Sequence, residues 1–214
     1  MSNVPAITTS PLLIATTNAG KIREILDVLA GLPLSLSTLA DLPTVPPEPE
    51  ETGRTFADNA LIKARAYAYA TGLPTVAEDS GLAIDALGGR PGVHSARYPG
   101  ATYPEKFQRL YAELAPHARP WTARYVCALA FVVPTPDAVD PAAIPPPFTS
   151  DGIVEGLITD EPRGTHGFGY DPIFFYPPFD QTLGEVDLAR KREVSHRGAA
   201  FRAFRAWLEV AHRP

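Results

Sequence analysis

The 214-residue chain reads as a single domain that mixes helices with strands, and three stretches carry that reading. Residues 12–15 form a short apolar run of buried-strand type, followed at once by Ile22, Ile25, Leu26 and Leu29 at helical spacing. Thr55-x-x-Asp58 has the form of a capping box and opens a helix expected to run to about residue 70. Residues 121–133 are apolar with few charges, the pattern of a central strand. A chain of this length can bury a sizeable core.

Composition narrows the function classes. With 45% hydrophobic and 20% charged residues the chain fits an ordinary soluble globular protein. The net charge of -5 argues against a general nucleic-acid binder, which carries a basic excess. Cys127 is the only cysteine, so neither an intramolecular disulfide nor a cysteine metal cluster is expected; its apolar surroundings suggest a buried, inert thiol. No apolar run approaches the roughly 18 residues of a membrane span. Residues 1–11 lack the basic and apolar regions of a secretory signal, so a cytoplasmic protein is expected. Residues 1–10 read as a flexible tail ahead of one domain over 11–214.

Taken in order, the strand over 12–15 leads into Thr16-Thr17-Asn18-Ala19-Gly20-Lys21 and a helix stopped by Gly31. Strand, polar turn and helix start make an anion site in which free amides meet the charge of Lys21. The spacing is not that of a Walker A loop, and a plain capped helix start is the alternative. Residues 39–52 form a loop rich in Pro and Glu, with Glu48, Glu50 and Glu51 as exposed carboxylates. On the helix over 55–70, closed by Gly72 and Pro74, Asn59 and Lys63 share one face. They either point at phosphates or form an exposed polar stripe.

Ala77-Glu78-Asp79-Ser80-Gly81-Leu82 stands near the middle of the chain and reads as a strand end turning sharply into the next element. Two adjacent carboxylates repel each other or share a cation, and oxygen-only ligands suit Mg²⁺. The alternative is a solvated acidic turn. A Gly-rich loop over 84–92, an amphipathic helix over 103–114 and the central strand follow. Residues 134–147 hold six prolines and read as a surface insertion, with a partner strand over 152–158.

Residues 162–172 combine glycines with Phe168 and Tyr170, so the backbone can approach a ligand while the rings offer stacking faces. A strand over 173–175 comes next. The basic run 191–198 then precedes a helix over 199–211, where positive charge meets the positive end of the helix dipole. An anionic ligand would relieve that conflict.

Together these segments resemble the inosine/xanthosine triphosphate pyrophosphatase family, the Ham1-like enzymes that hydrolyse aberrant purine nucleoside triphosphates. The matching pieces are Thr16-Thr17-Asn18-Ala19-Gly20-Lys21, Glu50-Glu51-Thr52-Gly53 with Phe56-x-x-Asn59-Ala60-x-x-Lys63-Ala64, and Asp79-Ser80-Gly81-Leu82. Gly89-x-Pro91-Gly92 with Ser95-Ala96-Arg97-Tyr98, Gly167-Phe168-Gly169-Tyr170-Asp171-Pro172 and Ser195-His196-Arg197 complete the set. The pieces fall in the family's order from Leu12 to Trp207. Glu78 stands where relatives commonly carry Asp, and His166 where they often carry Gly.

The resemblance implies an elongated α/β fold: a long mixed central sheet flanked by helices in two lobes, with the active-site cleft between them. It also implies a homodimer and release of pyrophosphate by attack of water on the α-phosphorus. Carried over residue by residue, Glu50 and Asp79 hold Mg²⁺, with Glu78 in support, and Asp79 is the candidate base. Thr16, Thr17, Asn18, Ala19, Gly20, Lys21 and Ser80 meet phosphate or sugar, and Lys63 lies near the same charges or pairs with a carboxylate; Asn59 supports them. Phe168 stacks on the base, with Gly169, and Tyr170 and Asp171 bind or brace. Lys191, His196 and Arg197 line the base pocket, Arg197 offering a donor pair to O6 and N7. Two readings compete with this one: a modified-pyrimidine pyrophosphatase of the septum-inhibitor type, and a nucleotide-binding protein without catalysis. The implied partner is a purine nucleoside triphosphate, with no nucleic acid or membrane.

Overall fold

Three consecutive apolar residues make β1 (Leu12–Ile14), every one of them buried, as a strand covered on both faces requires. The computed structural model describes residues 10–135, 146 and 148–211. The tail over 1–10, apart from Ser10, and most of the 134–147 insertion lie outside the described residues.

From β1 the chain turns through Asn18 into α1 (Ala19–Leu29) and returns as β2 (Leu36–Thr38), parallel to β1. Next, α2 (Phe56–Thr71) begins at the foreseen capping box: Thr55 Oγ1 accepts from the Asp58 amide, and the Asp58 carboxylate accepts from the Thr55 amide. It stops at Gly72, whose φ of 71° is the left-handed conformation glycine adopts without strain. β3 (Thr75–Ile84) pairs parallel with β1. The helix over 103–114 is present as α3 (Tyr103–Leu114). β4 (Thr122–Val132), β5 (Phe148–Ile158), β6 (Phe174–Tyr176) and β7 (Gln181–Thr182) complete one seven-stranded mixed sheet in the order β2-β1-β3-β4-β5-β6-β7. The chain ends with α4 (Leu188–Val194) and α5 (His196–Ala211).

Two expectations are corrected. The acidic stretch is no turn: β3 runs straight through Glu78, Asp79, Ser80 and Gly81. Its polar groups find partners in other parts of the fold, so the backbone has no need to bend them into water. Gly81 serves close approach, since a Cβ there would lie 2.3 Å from Ser95 Oγ. That hydroxyl accepts from the Leu82 amide at 2.9 Å and donates to the Gly92 carbonyl at 2.6 Å. The basic run, in turn, is not the start of one helix. Lys191 and Arg192 occupy the last turn of α4, the favourable end for a cation, and α5 begins already at His196.

The described residues fall into two compact units, residues 10–79, 128–151 and 200–211 in the first and 80–127 with 152–199 in the second. In the first, Ala60, Ala64 and Ala68 on α2 are small enough for close packing with Leu13, Ala77 and Ala130. Phe204 on α5 is fully buried against Phe131, Phe148, Phe201 and Trp207. Arg205 donates from Nη1 to the carbonyls of Val28 and Ala30, satisfying the open C-terminal end of α1. The second unit is built on Leu82, Leu110, Trp121, Tyr125, Ile173, Phe174 and their neighbours.

Phe204→Ala empties the middle of the aromatic cluster. It should cost about 3–5 kcal/mol, read as a fall in the denaturant midpoint at unchanged slope.

Candidate functional site

The first unit buries charge. Asn59 and Lys63 lie four apart on α2 and turn inward, so the exposed stripe weighed above is not what forms. Asn59 is 0% exposed; its Oδ1 accepts from the Gly53 amide at 2.9 Å, and its Nδ2 donates to Asp79 Oδ2 at 3.1 Å. Lys63 Nζ lies 2.6 Å from Glu51 Oε1 and 3.4 Å from Asp79 Oδ1. Lys21 pairs with Glu78 Oε1 at 2.8 Å. Glu51, half-buried, is the glutamate of the 39–52 loop that reaches this cluster, whereas Glu50 is exposed. An irregular loop has no side-chain period, so the sequence could not choose between the two neighbours.

The Thr16–Lys21 turn is capped more fully than foreseen. Asn18 Oδ1 accepts from the amides of Gly20 at 2.9 Å and Lys21 at 3.1 Å, and the Asn18 amide donates to Thr16 Oγ1. Two of the amides expected to be free thus have an internal partner. Thr17 and Ala19 are exposed.

Burial pushes the Asp79 carboxyl above its ordinary range, and the nearby charges of Glu51 and Glu78 push the same way. The Lys63 ammonium and the Asn59 amide oppose them without prevailing. Lys63 is also raised: burial pulls it down, but the carboxylates of Asp79, Glu78 and Glu51 outweigh that. The two shifts agree physically, because one ammonium is surrounded by several carboxylates. It holds its proton firmly while no single carboxylate is fully neutralised.

Among the described residues no three His, Cys, Asp or Glu close on a point that would hold a metal ion. A site here would draw one or two carboxylates from the chain, the manner of Mg²⁺, which takes the rest from water and substrate phosphates. Glu50, Glu51, Glu78 and Asp79 are hard oxygen donors of the right type.

The second unit assembles an aromatic and cationic group. The Phe168 ring is half-buried between charges rather than in the core, with Lys191 Nζ 4.8 Å and the Arg197 guanidinium 5.5 Å from its centroid. Asp171, buried in the loop, accepts on Oδ2 from the Phe168 amide at 2.7 Å and from Lys191 Nζ at 2.7 Å. Gly167 has a φ of 73° and a Cβ there would lie 2.1 Å from that oxygen. Only glycine fits. Arg197, 2% exposed, donates from Nη2 to Ser80 Oγ at 2.9 Å. His196 is buried, stacked on Tyr125. The Tyr170 side chain is a brace, its hydroxyl donating to the Ser95 carbonyl at 2.7 Å and its ring edge-on to Tyr103. Gly169 lies beside Tyr103, and His166 is exposed. Tyr103 and Tyr125 are participants that the sequence does not mark, and Glu51 and Ser95 carry no expected site role although their motifs are recognised.

The family model described as the Ham1 family matches residues 12–207, nearly the whole chain. This chain belongs to the Ham1 family. Among its relatives is a dITP/XTP pyrophosphatase of Geobacter sulfurreducens, 45% identical over 193 residues that cover 88% of this chain and 92% of the relative. Another dITP/XTP pyrophosphatase, from Dictyoglomus thermophilum, is 41% identical over 93% of this chain and 94% of its own length. The fold matches the structure of a HAM1 protein from Coxiella burnetii with a TM-score of 0.84 at 37% identity, covering 94% of this chain and 99% of that one. The α/β architecture with its mixed sheet is therefore the Ham1 architecture.

Lys63→Met removes the ammonium that holds down the Asp79 proton affinity. In the metal-free protein the Asp79 carboxyl should titrate at higher pH than in the unaltered chain, read from its side-chain carbon shift. Because the folded value already stands above the ordinary one, Asp79 adds stability below its unfolded value and loses it as pH rises through the folded value. The variant should raise the upper edge of that window and leave its lower edge, set by the unfolded chain, in place.

Proposed function

We propose that this chain hydrolyses non-standard purine nucleoside triphosphates (ITP, dITP and XTP) to the monophosphate and pyrophosphate, clearing them from the nucleotide pool. One observation carries the reading: a buried carboxylate, Asp79, held by Asn59 and Lys63 with its proton affinity raised by burial, in a Ham1-family chain whose relatives are named dITP/XTP pyrophosphatases.

The chemistry asks for three things. The attacking water must lose a proton, and Asp79 is the base: a carboxyl raised above its usual range takes a proton more readily than a solvated one. Asn59 fixes the orientation of that carboxylate, and Lys63 keeps it ionised while free. The charge of the triphosphate must be offset, for which Lys21 and the Thr16–Lys21 turn are assigned, with Ser80 as a donor. Mg²⁺, which Glu50 and Asp79 would hold with Glu78 in support, would polarise the phosphoryl oxygens and favour departure of pyrophosphate. At the other end of the substrate, Phe168 stacks on the base, with the Gly169 backbone beside it. Lys191, His196 and Arg197 surround it, and Tyr170 and Asp171 hold the loop. Arg197 presents hydrogen-bond donors, which suit the 6-oxo group of hypoxanthine and xanthine and oppose the 6-amino group of adenine.

We also assign the chain a homodimeric state and a cytoplasmic location, supported by the family resemblance and by the nature of a nucleotide-pool substrate. No helix among the described residues is long and apolar enough to cross a membrane.

With Mg²⁺ present, pyrophosphate release should favour dITP, ITP and XTP over ATP and GTP by at least about 10-fold in kcat/KM. A preference for modified pyrimidine triphosphates, or turnover of none, would sink the reading. Asp79→Asn should keep its melting transition and lose at least ~10²-fold in kcat, the lower end for a general base. Chelation should abolish turnover and leave the melting transition of the substrate-free protein in place. Light scattering at micromolar concentration should find twice the 23.0 kDa chain mass.

A further inference from the structure

Tyr125 lies on β4 in the apolar run that reads as simple core, and nothing in its own neighbourhood along the chain marks it out. Its ring lies flat on the His196 imidazole, with centroids 4.7 Å apart and planes 8° from parallel, and it packs on Phe174 at 4.5 Å on another side. Its hydroxyl is 3.4 Å from Asp171 Oδ1, donating to that carboxylate. Burial drives the phenol well above its ordinary range, with the Asp171 charge adding to it, so it stays a donor throughout the working pH range.

Asp171 is the residue on which the loop hangs. Its Oδ2 accepts both the Phe168 amide and the Lys191 ammonium, so the hydroxyl of Tyr125 meets the carboxylate that aims the stacking ring and one of its flanking cations. The ring face of Tyr125 meets the third participant, His196.

We infer that Tyr125 is a positioning residue for purine recognition: one side chain sets the plane of His196 by stacking and the carboxylate of Asp171 by hydrogen bonding. This rests on the assignment of Phe168, Lys191 and His196 to the base given above. It has no part in proton transfer and touches no reacting atom. Its influence is confined to the base end of the substrate.

Two variants separate the hydroxyl from the ring. Tyr125→Phe keeps the stack on His196 and removes the donor to Asp171; Tyr125→Leu removes both. In Tyr125→Phe, kcat/KM for dITP should fall about 10-fold, chiefly through KM, as loss of a hydrogen bond to a charged group produces. Inhibition by inorganic pyrophosphate, which occupies only the phosphate end, should be unchanged. In the substrate-free protein the Phe168 amide resonance should move in Tyr125→Phe while the His196 ring protons keep their upfield shift. In Tyr125→Leu that upfield shift should vanish as well. Equal loss toward dITP and pyrophosphate would show general loosening and overturn the proposal, as would a Phe168 amide that does not move in Tyr125→Phe. If the unaltered chain turns over no purine triphosphate, the functional reading fails instead. The resonances then decide by themselves whether Tyr125 positions this loop: a Phe168 amide that moves in Tyr125→Phe, with the His196 upfield shift lost only in Tyr125→Leu, supports it, and a Phe168 amide that stays in place overturns it.

Discussion

Taking an ionised carboxylate out of water is costly, and much of the first unit is arranged around doing so with Asp79. A lone buried charge would neutralise itself, so the fold has to supply a counter-charge and a donor at fixed places. Both come from α2, one turn apart, because the capping box at Thr55 sets where that helix begins and hence which face Asn59 and Lys63 share. Closeness comes from Ala60, Ala64 and Ala68, whose small side chains admit neighbouring backbone. The Lys63 ammonium is divided between Asp79 and Glu51, so the carboxylate is kept charged yet not quenched. Carboxyl groups shifted in this way concentrate at sites of chemistry.

The second unit meets a related demand by another route. Here the buried acid is Asp171, and its task is geometric. With a full ion pair to Lys191 and a backbone donor on the same oxygen, it has little proton-accepting work left and instead fixes a loop that has almost no regular structure. Each carboxylate has one ammonium beside it, but Lys191 stands 2.7 Å from Asp171 whereas Lys63 stands 3.4 Å from Asp79 and is shared with Glu51.

Legibility in the sequence followed the range of the interactions involved. Helix α3 has the span expected of its amphipathic pattern, and the structure adds local reasons for its start: Thr102 accepts from the Glu105 amide as cap, and Pro104 stands in the first turn. Helix α2 was legible from its capping box and Gly72 stop, and it ends at Thr71, one residue beyond the expected end. β3 was misread as a turn since Glu78, Asp79 and Ser80 look like solvent-seeking residues until their distant partners are known. Lys63 stands sixteen positions from Asp79, and Arg197 stands 117 from Ser80. β2 and β7 are too short to show a period, and α4 spans seven residues, with the cap at Asp187 as its one readable sign. The motif segments stand out by local charge, glycine and aromatic content, and the family resemblance supplies their expected roles. Tyr125 belongs to no motif, and its partners are reached only through the fold.

The two glycines beside the buried carboxamide and carboxylate bear on how this protein can change. A Cβ at Gly53 would lie 2.5 Å from Asn59 Oδ1, and one at Gly167 2.1 Å from Asp171 Oδ2. In each unit, then, a glycine and the side chain that braces its loop fill one volume between them. Neither position can be varied alone, because enlarging the glycine displaces the brace, and shrinking the brace leaves a loop without its hydrogen bond. Variation at such places has to arrive in pairs, so a survey of single substitutions would score all four positions as immovable while certain double exchanges remain open. The routes by which a chain of this kind can change at either loop are thus narrow, and they pass through coupled steps.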